Sequence, residues 1–482
     1  MNKIYLEKRN VYSYPGATDL YAPHVNYPEY LFDVLSESEN NVYDMIRNAL
    51  YGMGLDKEHY GKEEWNPLGE YIKPGDSVII KPNLVRDYES TKQYECTLTH
   101  PSIIRTIIDY CVIAKAGHIV VGDAPIQGAN MDRIREDCHI DEMIQLYRSK
   151  GVNIEFCDFR NYIVEQKGGL LITKKEKNDD SNEYLTVHLE NKSEHCKDSF
   201  SGKYEIAGYV DKEINELHHG DTHDYIIDRK VLEADVIINL PKPKTHRYAG
   251  LTGAQKNFVG CCSDKESLPH FKAGSPCVGG DETNSDSILS KKLAKYYRKY
   301  LWACKKKQYV RATYFHLIYR GLYELKGEHL YTNGAWHGND TIWRTIIDLN
   351  KIMLFADKSG KIHMDVPQRK IFTLGDMIIA GEKEGPLNPT AKSMGVIMAA
   401  DNMAIFDYVF CKIAGFDETL IPTIHHSVRN THLSPENWKE IVISSNDESV
   451  DGKTIFDVTF PEEYWLEAHP FWKDLLLKSK NR

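Results

Sequence analysis

Short apolar runs that end abruptly in polar residues constrain this chain more than any other feature. Ser77–Ile80 is one such run and stops at Lys81, and His118–Val121 is a second one that is followed by Gly122 and Asp123. A strand that is apolar at successive positions is covered on both faces, which is typical of strands in a parallel sheet. We therefore expect a sheet with helices packed on both of its faces.

The segment between these two runs predicts how they are connected. Pro101–Gly117 has apolar residues at helical spacing, begins with Pro and ends with Gly, as helices in globular proteins often do. A strand, a helix and a second strand in this order form a βαβ unit with parallel strands and a right-handed crossover. Similar apolar runs recur at Asp235–Leu240, Ile371–Leu374 and Gly395–Ala400. The predicted fold class is α/β, with a mostly parallel, doubly wound sheet, a β insertion and an inserted helical arm.

Composition along the chain indicates the domain organisation. Residues 1–70 are rich in Tyr, Pro and Asn and are predicted to be an N-terminal extension wrapped on the core. Residues 71–260 are assigned to the first part of the α/β core, with a β insertion at about 165–215, where short alternating runs indicate antiparallel strands. Residues 261–335 are predicted to form an inserted loop and a basic helical arm, and residues 336–482 the second part of the core and a C-terminal tail.

Charge and composition argue against several classes of protein. The chain has 70 acidic and 60 basic residues and a formal net charge of −10, so it lacks the basic footprint of a nucleic-acid-binding protein. No run approaches the roughly 20 apolar residues of a membrane-spanning helix, and the first residues lack the apolar core of a signal peptide. The expected location is therefore the cytoplasm. The 10 cysteines are scattered without a C-x-x-C pattern, which argues against a disulfide framework and against an iron–sulfur cluster.

Polar residues gather where the predicted strands end. They share a place at, or just after, the carboxyl end of a strand: Lys81, Asn83, Asp123, Lys242, Lys244 and His246. In open parallel sheets these ends border a common crevice in which ligands bind. Prolines beside Lys81, Lys242 and Lys244 limit how far each loop can relax. We expect these ammonium groups to converge and to hold a carboxylate or a phosphate, whereas solvated loop lysines are the simpler alternative.

These residue types also suggest roles in proton transfer. His246 is the first candidate for a general acid or base, because histidine titrates near neutral pH. Lys242 and Lys244 are expected to hold the anion, and Lys81 to stabilise developing negative charge. A lysine beside another cation can itself lose its proton near neutral pH and act as a base. His100, at a turn before a predicted helix, is a further catalytic candidate.

A segment of small residues after the third strand adds candidates for substrate binding. Thr252 and Gly253 precede a predicted helix that carries Lys256 and Asn257, and free N–H groups at a helix N-terminus attract anions. Glycine that serves only helix packing is the alternative. The sequence contains neither the G-x-x-x-x-G-K-[ST] nor the G-x-G-x-x-G pattern after a strand, so no motif supports nucleotide binding.

Acidic residues raise the question of a divalent metal ion. Asp376, Glu382 and Glu384 follow the run Ile371–Leu374, and the carboxylates of Asp376 and Glu382 could bind a divalent cation together with Asp123. A solvated acidic turn is the alternative interpretation of this segment.

A basic stretch, residues 291–311, interleaves Lys and Arg with Tyr and Trp. Such a helix could lie on an anionic membrane surface, contact a protein partner or cover the crevice as a lid. A solvated arm that packs through its aromatic face is the alternative.

Several segments resemble, in the same order, those of the domain of unknown function 362 (DUF362) family. They are VIIKPNLV, THPSIIRTII, VVGDAP, INLPKPKTH, LTGAQKNFVG, GDMIIAGEKEGP and GVIMAADNMAIFDYV. The resemblance implies an α/β fold akin to that of lactate racemase and its nickel-pincer relatives. Some members carry a fused ferredoxin module, but this chain has no C-x-x-C-x-x-C run. The residues that match the family's motifs are Lys81, Asn83, His100, Asp123, Lys242, Lys244, His246, Lys256, Asn257, Asp376, Glu382, Gly385 and Asp401.

The segment that begins with Trp336 and His337 resembles a subgroup that is associated with bacterial surface-polysaccharide gene neighbourhoods. Through this resemblance, both residues are candidates for substrate binding.

Three functions are compatible with the sequence. The leading hypothesis is an isomerase-like or epimerase-like enzyme that acts on a small carboxylated or phosphorylated metabolite, such as a sugar acid, by Lys- and His-assisted proton transfer. The first alternative is a metal-dependent transferase or ligase with Asp123, Asp376 and Glu382 around the ion. The second is a non-catalytic protein that docks on a membrane or a protein partner through residues 291–311.

Overall fold

A computed structural model of the chain describes residues 3–167, 170–177, 183–198, 200–209, 212–327, 329–473 and 475. Its strands are β1 (Ile4–Lys8), β2 (Ser77–Pro82), β3 (His118–Asp123), β4 (Ile154–Asp158), β5 (Tyr162–Lys167), β6 (Leu170–Lys177), β7 (Tyr184–His188), β8 (Tyr204–Glu205), β9 (His218–His219), β10 (Thr222–Asp228), β11 (Val236–Leu240), β12 (Lys244–His246), β13 (Gly250–Thr252), β14 (Phe271–Lys272), β15 (Lys370–Glu382), β16 (Thr390–Ala400) and β17 (Ile443–Ser445).

The main sheet has the strand order β17-β1-β16-β15-β11-β2-β3-β4, and β12 and β13 attach beside β15. From β15 to β4 every neighbouring pair is parallel, and β1 is parallel to β17. In that order β16 runs antiparallel to its two neighbours, and the attached strand β13 runs antiparallel to β12. The sheet is therefore mostly parallel, and the predicted α/β fold class is confirmed.

Helices cover both faces of this sheet. They are α1 (Asn41–Gly52), α2 (Thr91–Thr97), α3 (Pro101–Ile113), α4 (Met131–Asp137), α5 (Ile140–Ser149), α6 (Lys212–Leu217), α7 (Arg229–Glu233), α8 (Ala254–Asn257), α9 (Ile288–Lys305), α10 (Tyr309–Glu324), α11 (Ile342–Phe355), α12 (Met403–Ile413) and α13 (Pro422–Ser427). One apolar cluster joins α1, α3 and α5 to the sheet, and the other joins α11 and α12 to its opposite face.

Alternation along the central strands decides which residue enters which cluster. In β2, Ile79 packs with α11 and α12, whereas its neighbours Val78 and Ile80 pack with α1 and α3. Successive side chains of a strand point to opposite faces, so a strand inside two layers needs apolar residues at every position. This requirement explains the uninterrupted apolar runs in the sequence.

The N-terminal region differs from the prediction. It was expected to wrap the core as an extension, but β1 lies inside the main sheet, between β16 and β17. Ile4 and Leu6 are buried there. The strand is short and ends in Glu7 and Lys8, so the hydrophobic pattern was too weak to reveal it.

The described part of the β insertion forms small antiparallel sheets beside the main one. These are the pair β5 and β6, the sheet β7-β10-β9, and the pair β8 and β14. Residues 168–169, 178–182, 199 and 210–211 of the predicted range lie outside the described residues.

The predicted helical arm is a hairpin of α9 and α10, which pack on each other through Tyr300, Leu301 and Ala312. Among the helices that the structure describes, none is both long and apolar enough to span a bilayer.

Candidate functional site

A cavity of about 280 Å³ opens at the carboxyl ends of β2, β3 and β11. Several of the predicted site residues line it: Asn83, Asp123, Lys244, His246, Thr252, Lys256 and Asn257. They come from positions that are far apart in the sequence. Their convergence follows from the parallel sheet, because the loops after neighbouring parallel strands leave it at the same edge.

Lys81 lies beneath the cavity wall and is fully buried. Its ammonium group is 2.7 Å from Oδ1 of Asp123 and donates a hydrogen bond of 2.6 Å to the carbonyl of Pro82. A methyl group on Gly260 would stand 1.9 Å from Oδ1 of Asp123. Only glycine therefore fits between this ion pair and the cavity, and Lys81 acts on the site by holding Asp123.

Helix α8 is fastened to the sheet through Asn257. Its side-chain amide donates to the backbone carbonyl of Lys81 at 3.0 Å and to Oδ1 of Asn239 at 2.8 Å. Asn239 is the one polar residue of β11. This bridge fixes Lys256, on the same short helix, at the cavity wall.

Four cations line the cavity: Lys244, Arg247, Lys256 and Lys265. Within the described residues, none of the four has a carboxylate at ion-pair distance. Lys244 donates to Oδ1 of Asn83 and to the backbone carbonyls of Thr97 and Lys242, and Lys265 donates to the carbonyl of Val259. Asp123, the carboxylate in the wall, is already paired with Lys81. The cavity thus has a strong excess of positive charge.

Burial makes these ammonium groups easier to deprotonate. Burial, with Lys242 nearby, lowers the pKa of Lys244 to about 7. Burial, with Lys265 and Arg247 nearby, also lowers the pKa of Lys256 to about 7. Lys256 makes no hydrogen bond to any of the residues that the structure describes, whereas Lys244 donates to three oxygens. The amine of Lys256 is therefore free to face a ligand, whereas that of Lys244 is held by the protein, which makes Lys256 the candidate base on geometric grounds.

The ring of His246 is held in one tautomer. Its Nδ1 accepts hydrogen bonds from the backbone N–H groups of Tyr248 and Ala249, at 3.0 and 3.1 Å. The neutral ring therefore carries its proton on Nε2. Burial and the nearby Lys256 keep the pKa of His246 well below its usual range. At neutral pH this side chain is therefore a hydrogen-bond donor through Nε2, which favours the acid over the base among the two roles expected from the sequence.

Buried polar atoms in the cavity wall have unused hydrogen-bonding capacity. They are Oγ1 of Thr252, Oδ1 of Asn257 and Nε of Arg247, which have no hydrogen-bond partner among the described residues. Buried polar groups are almost always bonded in folded proteins. The wall is therefore suited to a ligand that both donates and accepts hydrogen bonds.

Three of the predicted residues form a different, adjacent cluster. Lys242 is fully buried and its Nζ lies 3.0 Å from Oδ2 of Asp376 and 2.5 Å from the hydroxyl of Tyr14. Asp376 also accepts a hydrogen bond from the backbone N–H of His100, whose ring stacks on Tyr14. Tyr14 comes from the N-terminal region and closes this cluster. Lys242 is thus occupied by a carboxylate and a phenol, and the expected role in holding the ligand does not fit its place.

The acidic segment around Asp376 also differs from the prediction. Asp376 and Glu382 lie within β15 and do not follow it. Asp123 pairs with Lys81, Asp376 pairs with Lys242, and Glu382 accepts a hydrogen bond from the backbone N–H of Glu467. Because each carboxylate has its own partner, they do not fit a shared metal ion. The described ranges contain no group of three or more His, Cys, Asp or Glu side chains that could hold one.

The predicted anion site at the helix N-terminus is occupied by the protein itself. Asp407 accepts hydrogen bonds from the backbone N–H groups of Ala254 and Gln255, at 2.6 and 3.1 Å. A methyl group on Gly253 would be 2.0 Å from Oδ1 of Asp407. Gly253 therefore serves the packing of α12 against α8, which was the alternative interpretation.

Trp336 and His337 do not line the cavity. Nε1 of Trp336 donates to the carbonyl of Asp281, and its ring stacks on Tyr331. His337 contacts the rings of both Tyr331 and Trp336. The two residues belong to the loop in front of α11.

Two cations of the site, Arg247 and Lys265, were missed by the sequence analysis. Arg247 directly follows His246 and could have been included with it. Lys265 lies in a loop between the core and the arm, where no strand or helix pattern marks its position. Only the folded chain places it beside Lys256.

A comparison with family models matches residues 78–175 and 202–412 to the model described as domain of unknown function (DUF362). Among curated proteins, a thylakoid-associated protein of Synechocystis sp. is 25% identical over 208 residues, which are 43% of this chain and 46% of that protein. The match thus spans about half of the length of this relative.

Two solved structures are similar over part of the chain. A protein from Thermotoga maritima has 13% identity and a TM-score of 0.28, with 73% of this chain and 54% of that chain covered. The lactate racemase apoprotein from Thermoanaerobacterium thermosaccharolyticum has 10% identity and a TM-score of 0.27, with 73% and 51% covered. TM-scores this low do not establish a shared fold, so the expected kinship with lactate racemase stays a prediction.

Proposed function

This chain belongs to the DUF362 family. We propose that it is an enzyme that binds a small carboxylated or phosphorylated metabolite in the cavity and transfers a proton. The observation that supports this most is a set of four basic side chains, Lys244, Arg247, Lys256 and Lys265, which line one cavity and have no carboxylate partner in the described part of the chain. Positive charge that is buried and unpaired is costly. An anionic ligand would offset that cost, so the site favours such a ligand.

The roles of the side chains follow from their bonds. Lys244 and Lys265, each held by backbone carbonyls, bind the anion in their protonated forms, which a neighbouring negative charge favours. Lys256, with a pKa near pH 7, accepts the proton, because a base works best when its pKa is close to the working pH. His246 donates from Nε2 to the oxygen on which negative charge develops. Lys81 keeps Asp123 in place and does not touch the ligand.

Phosphate is the simplest probe of this proposal. We expect inorganic phosphate to raise the melting temperature of the protein at pH 6.5, and Lys265→Met, at a lysine that lines the cavity, to weaken phosphate binding about tenfold or more, measured by calorimetry. Lys361→Met, at an exposed lysine outside the site, is the matched control and should bind like the wild type. If phosphate, sulfate and simple carboxylates all fail to bind the wild type, the anion site is disproved.

Proton transfer is tested separately with a panel of sugar acids in D₂O. The proposal predicts that NMR detects deuterium at the carbon next to the carboxylate of at least one of them, and that Lys256→Met abolishes this exchange. If anions bind but no sugar acid or hydroxy acid exchanges its proton for deuterium, the protein binds anions without catalysing proton transfer. The catalytic part of the proposal is then wrong.

We also propose that the arm docks on an anionic membrane surface, because an apolar stripe runs along its outer side. Val310, Tyr314 and Leu317 occupy one side of α10 and are 86%, 60% and 64% exposed. Residues 288–324 contain ten basic residues and one acidic residue, a formal charge of +9. Exposed apolar residues among basic ones are typical of helices that lie in a membrane interface. The Synechocystis relative is named for its association with a thylakoid membrane, which agrees with this proposal.

Vesicle co-sedimentation tests this docking. The chain should sediment with vesicles that contain phosphatidylglycerol and not with pure phosphatidylcholine, and Leu317→Glu should reduce the bound fraction severalfold. Leu31→Glu changes a leucine that is equally exposed, at 58%, outside the arm and should have no effect. Equal binding to both kinds of vesicle, or none to either, would contradict the proposal, and in the latter case an acidic protein becomes the better partner.

A further inference from the structure

A second recess of about 310 Å³ lies next to the cation-lined cavity. It shares Ala207, Arg247 and Tyr248 with that cavity. The arm supplies one wall, with Tyr297 from α9 and with Tyr319 and Tyr323 from α10. The other aromatic residues that line it are Tyr248 and Phe471 from the core and Tyr331 from the loop that follows the arm. We call this recess the tyrosine groove.

Arg247 connects the two spaces. It lines both of them, its guanidinium lies 4.8 Å from the centre of the Tyr248 ring, and its buried Nε has no hydrogen-bond partner among the described residues. A ligand whose anion sits among the lysines would therefore reach the groove past a free cationic donor. The two spaces are suited to the two parts of one molecule.

The shape of the groove favours a sugar over a flat base. The rings of Tyr297 and Tyr319 are tilted by 40° to each other, and those of Tyr319 and Tyr323 by 43°. The three rings of the arm thus form a curved surface and not one flat platform on which a planar ring would stack. The C–H face of a pyranose packs on such aromatic surfaces.

The rim supplies the polar contacts that sugar hydroxyls need. Arg320 and Lys326 are donors, Glu324 is an acceptor, and Asn333 offers both functions. Each hydroxyl of a sugar both donates and accepts, so a mixed rim of this kind satisfies it. A rim with cations alone would instead have indicated a second phosphate.

We propose that the ligand is a phosphorylated or carboxylated saccharide, whose anion lies among the lysines and whose sugar rings lie on the tyrosines of the arm. This inference rests on the proposed anion site and names its substrate class. It also gives the arm a part in ligand binding, because two of the three arm tyrosines come from α10.

Calorimetry with four probes separates the two ideas: inorganic phosphate, α-glucosyl phosphate, α-maltosyl phosphate and uridine monophosphate. We expect each added glucose ring to tighten binding by about tenfold or less. Tyr319→Ala and Tyr323→Ala should remove this gain and leave the affinity for inorganic phosphate unchanged. Tyr314→Ala, an exposed tyrosine on the same helix but outside the groove, is the matched control and should behave as the wild type.

Arg320→Ala, at an exposed side chain of the rim, tests the same gain in affinity. The inference then does not depend on a tyrosine variant that fails to fold. If both sugar phosphates bind no tighter than inorganic phosphate, or if uridine monophosphate binds tightest, the saccharide inference is overturned while the anion site stands. If no probe binds, the anion site fails as well. Loss of inorganic phosphate binding in the tyrosine variants would also overturn the inference, because the groove would then not be a separate subsite.

Discussion

Lys256 shows how a single residue can be both costly to the fold and useful to the site. Its ammonium group is partly buried beside Lys265 and Arg247 and has no hydrogen-bond partner among the described residues. A buried charge of this kind weakens the folded state unless a ligand compensates it. Such sites are typical of function, because selection for stability alone would remove them.

The cost of Lys256 should depend on pH. Its pKa is about 7 in the folded chain and near the ordinary lysine value of 10.5 in the unfolded chain. The unfolded state therefore binds more protons between these values, and stability rises with pH from about 7 to 10.5. Without ligand, Lys256→Met should be more stable than the wild type by a few kcal/mol, on the order of 3–5, at pH 6.5 and by about 1 kcal/mol at pH 10.

Urea unfolding at the two pH values measures this difference. Lys361→Met, at an exposed lysine, should show no such change between pH 6.5 and pH 10. A stabilisation by Lys256→Met that is the same at both values would show that lost packing, and not the charge, causes the effect.

For His246 and Lys242, the residue type suggests a role, but the hydrogen-bond partners in the folded chain determine it. Their residue types predict a general acid or base for His246 and a group that holds the anion for Lys242. The backbone N–H groups of Tyr248 and Ala249 instead hold Nδ1 of His246, and Asp376 holds Lys242. The two N–H groups belong to the turn that directly follows His246, and Asp376 lies on another strand, β15. Residue types alone predict neither the geometry of that turn nor the pairing across the sheet.

The place of β1 in the main sheet is not predicted by the sequence pattern. The strand pairs with β16 and β17, and so it ties the N-terminal region to the C-terminal part of the core. Leu6 in this strand is fully buried. Leu6→Ala should lower the free energy of unfolding by about 2–4 kcal/mol, because it removes buried apolar volume from a packed core.

Chemical denaturation of Leu6→Ala, with Leu31→Ala at an exposed leucine as the control, measures this loss. The control should change the free energy by no more than ~0.5 kcal/mol. A Leu6→Ala chain as stable as the wild type would mean that residues 4–8 are an appendage, as the sequence alone had suggested.

At the scale of the whole molecule, charge is strongly segregated. Residues 288–324 carry a formal charge of +9, so the remainder of the chain carries −19 of the total of −10. Opposite charge on two parts of one molecule favours contacts between copies. This attraction is strongest at low ionic strength, where charges act over tens of ångströms before salt screens them. The same segregation would direct the arm to an anionic surface.

Sedimentation velocity should therefore detect weak self-association at about 10 mM salt that disappears at about 150 mM, as the Debye length falls from ~30 to ~8 Å. Replacing Lys305, Lys306 and Lys307, at the turn between α9 and α10, by Glu should abolish it. Self-association that persists at high salt, or in this variant, would point to an apolar interface instead.

The layered α/β fold and the position of the candidate site both follow from local sequence pattern. A strand covered on both faces must be apolar at every position, and the polar residues that end such strands in Ser77–Pro82, His118–Asp123 and Val236–Leu240 must meet at one edge, because the strands are parallel. Local pattern is enough for these conclusions. It also located the arm, since helical periodicity and basic composition coincide there.

The contacts between distant strands and side chains are seen only in the tertiary structure. It placed β1 in the sheet, assigned Asp376 to Lys242 and Asp123 to Lys81, filled the N-terminus of α8 with Asp407, and brought Lys265 to Lys256. Each of these contacts joins distant or irregular segments whose pairing depends on the packing of the whole chain. The protonation state of a buried group depends on those partners, so the chemistry of the site followed from the fold and not from the local sequence.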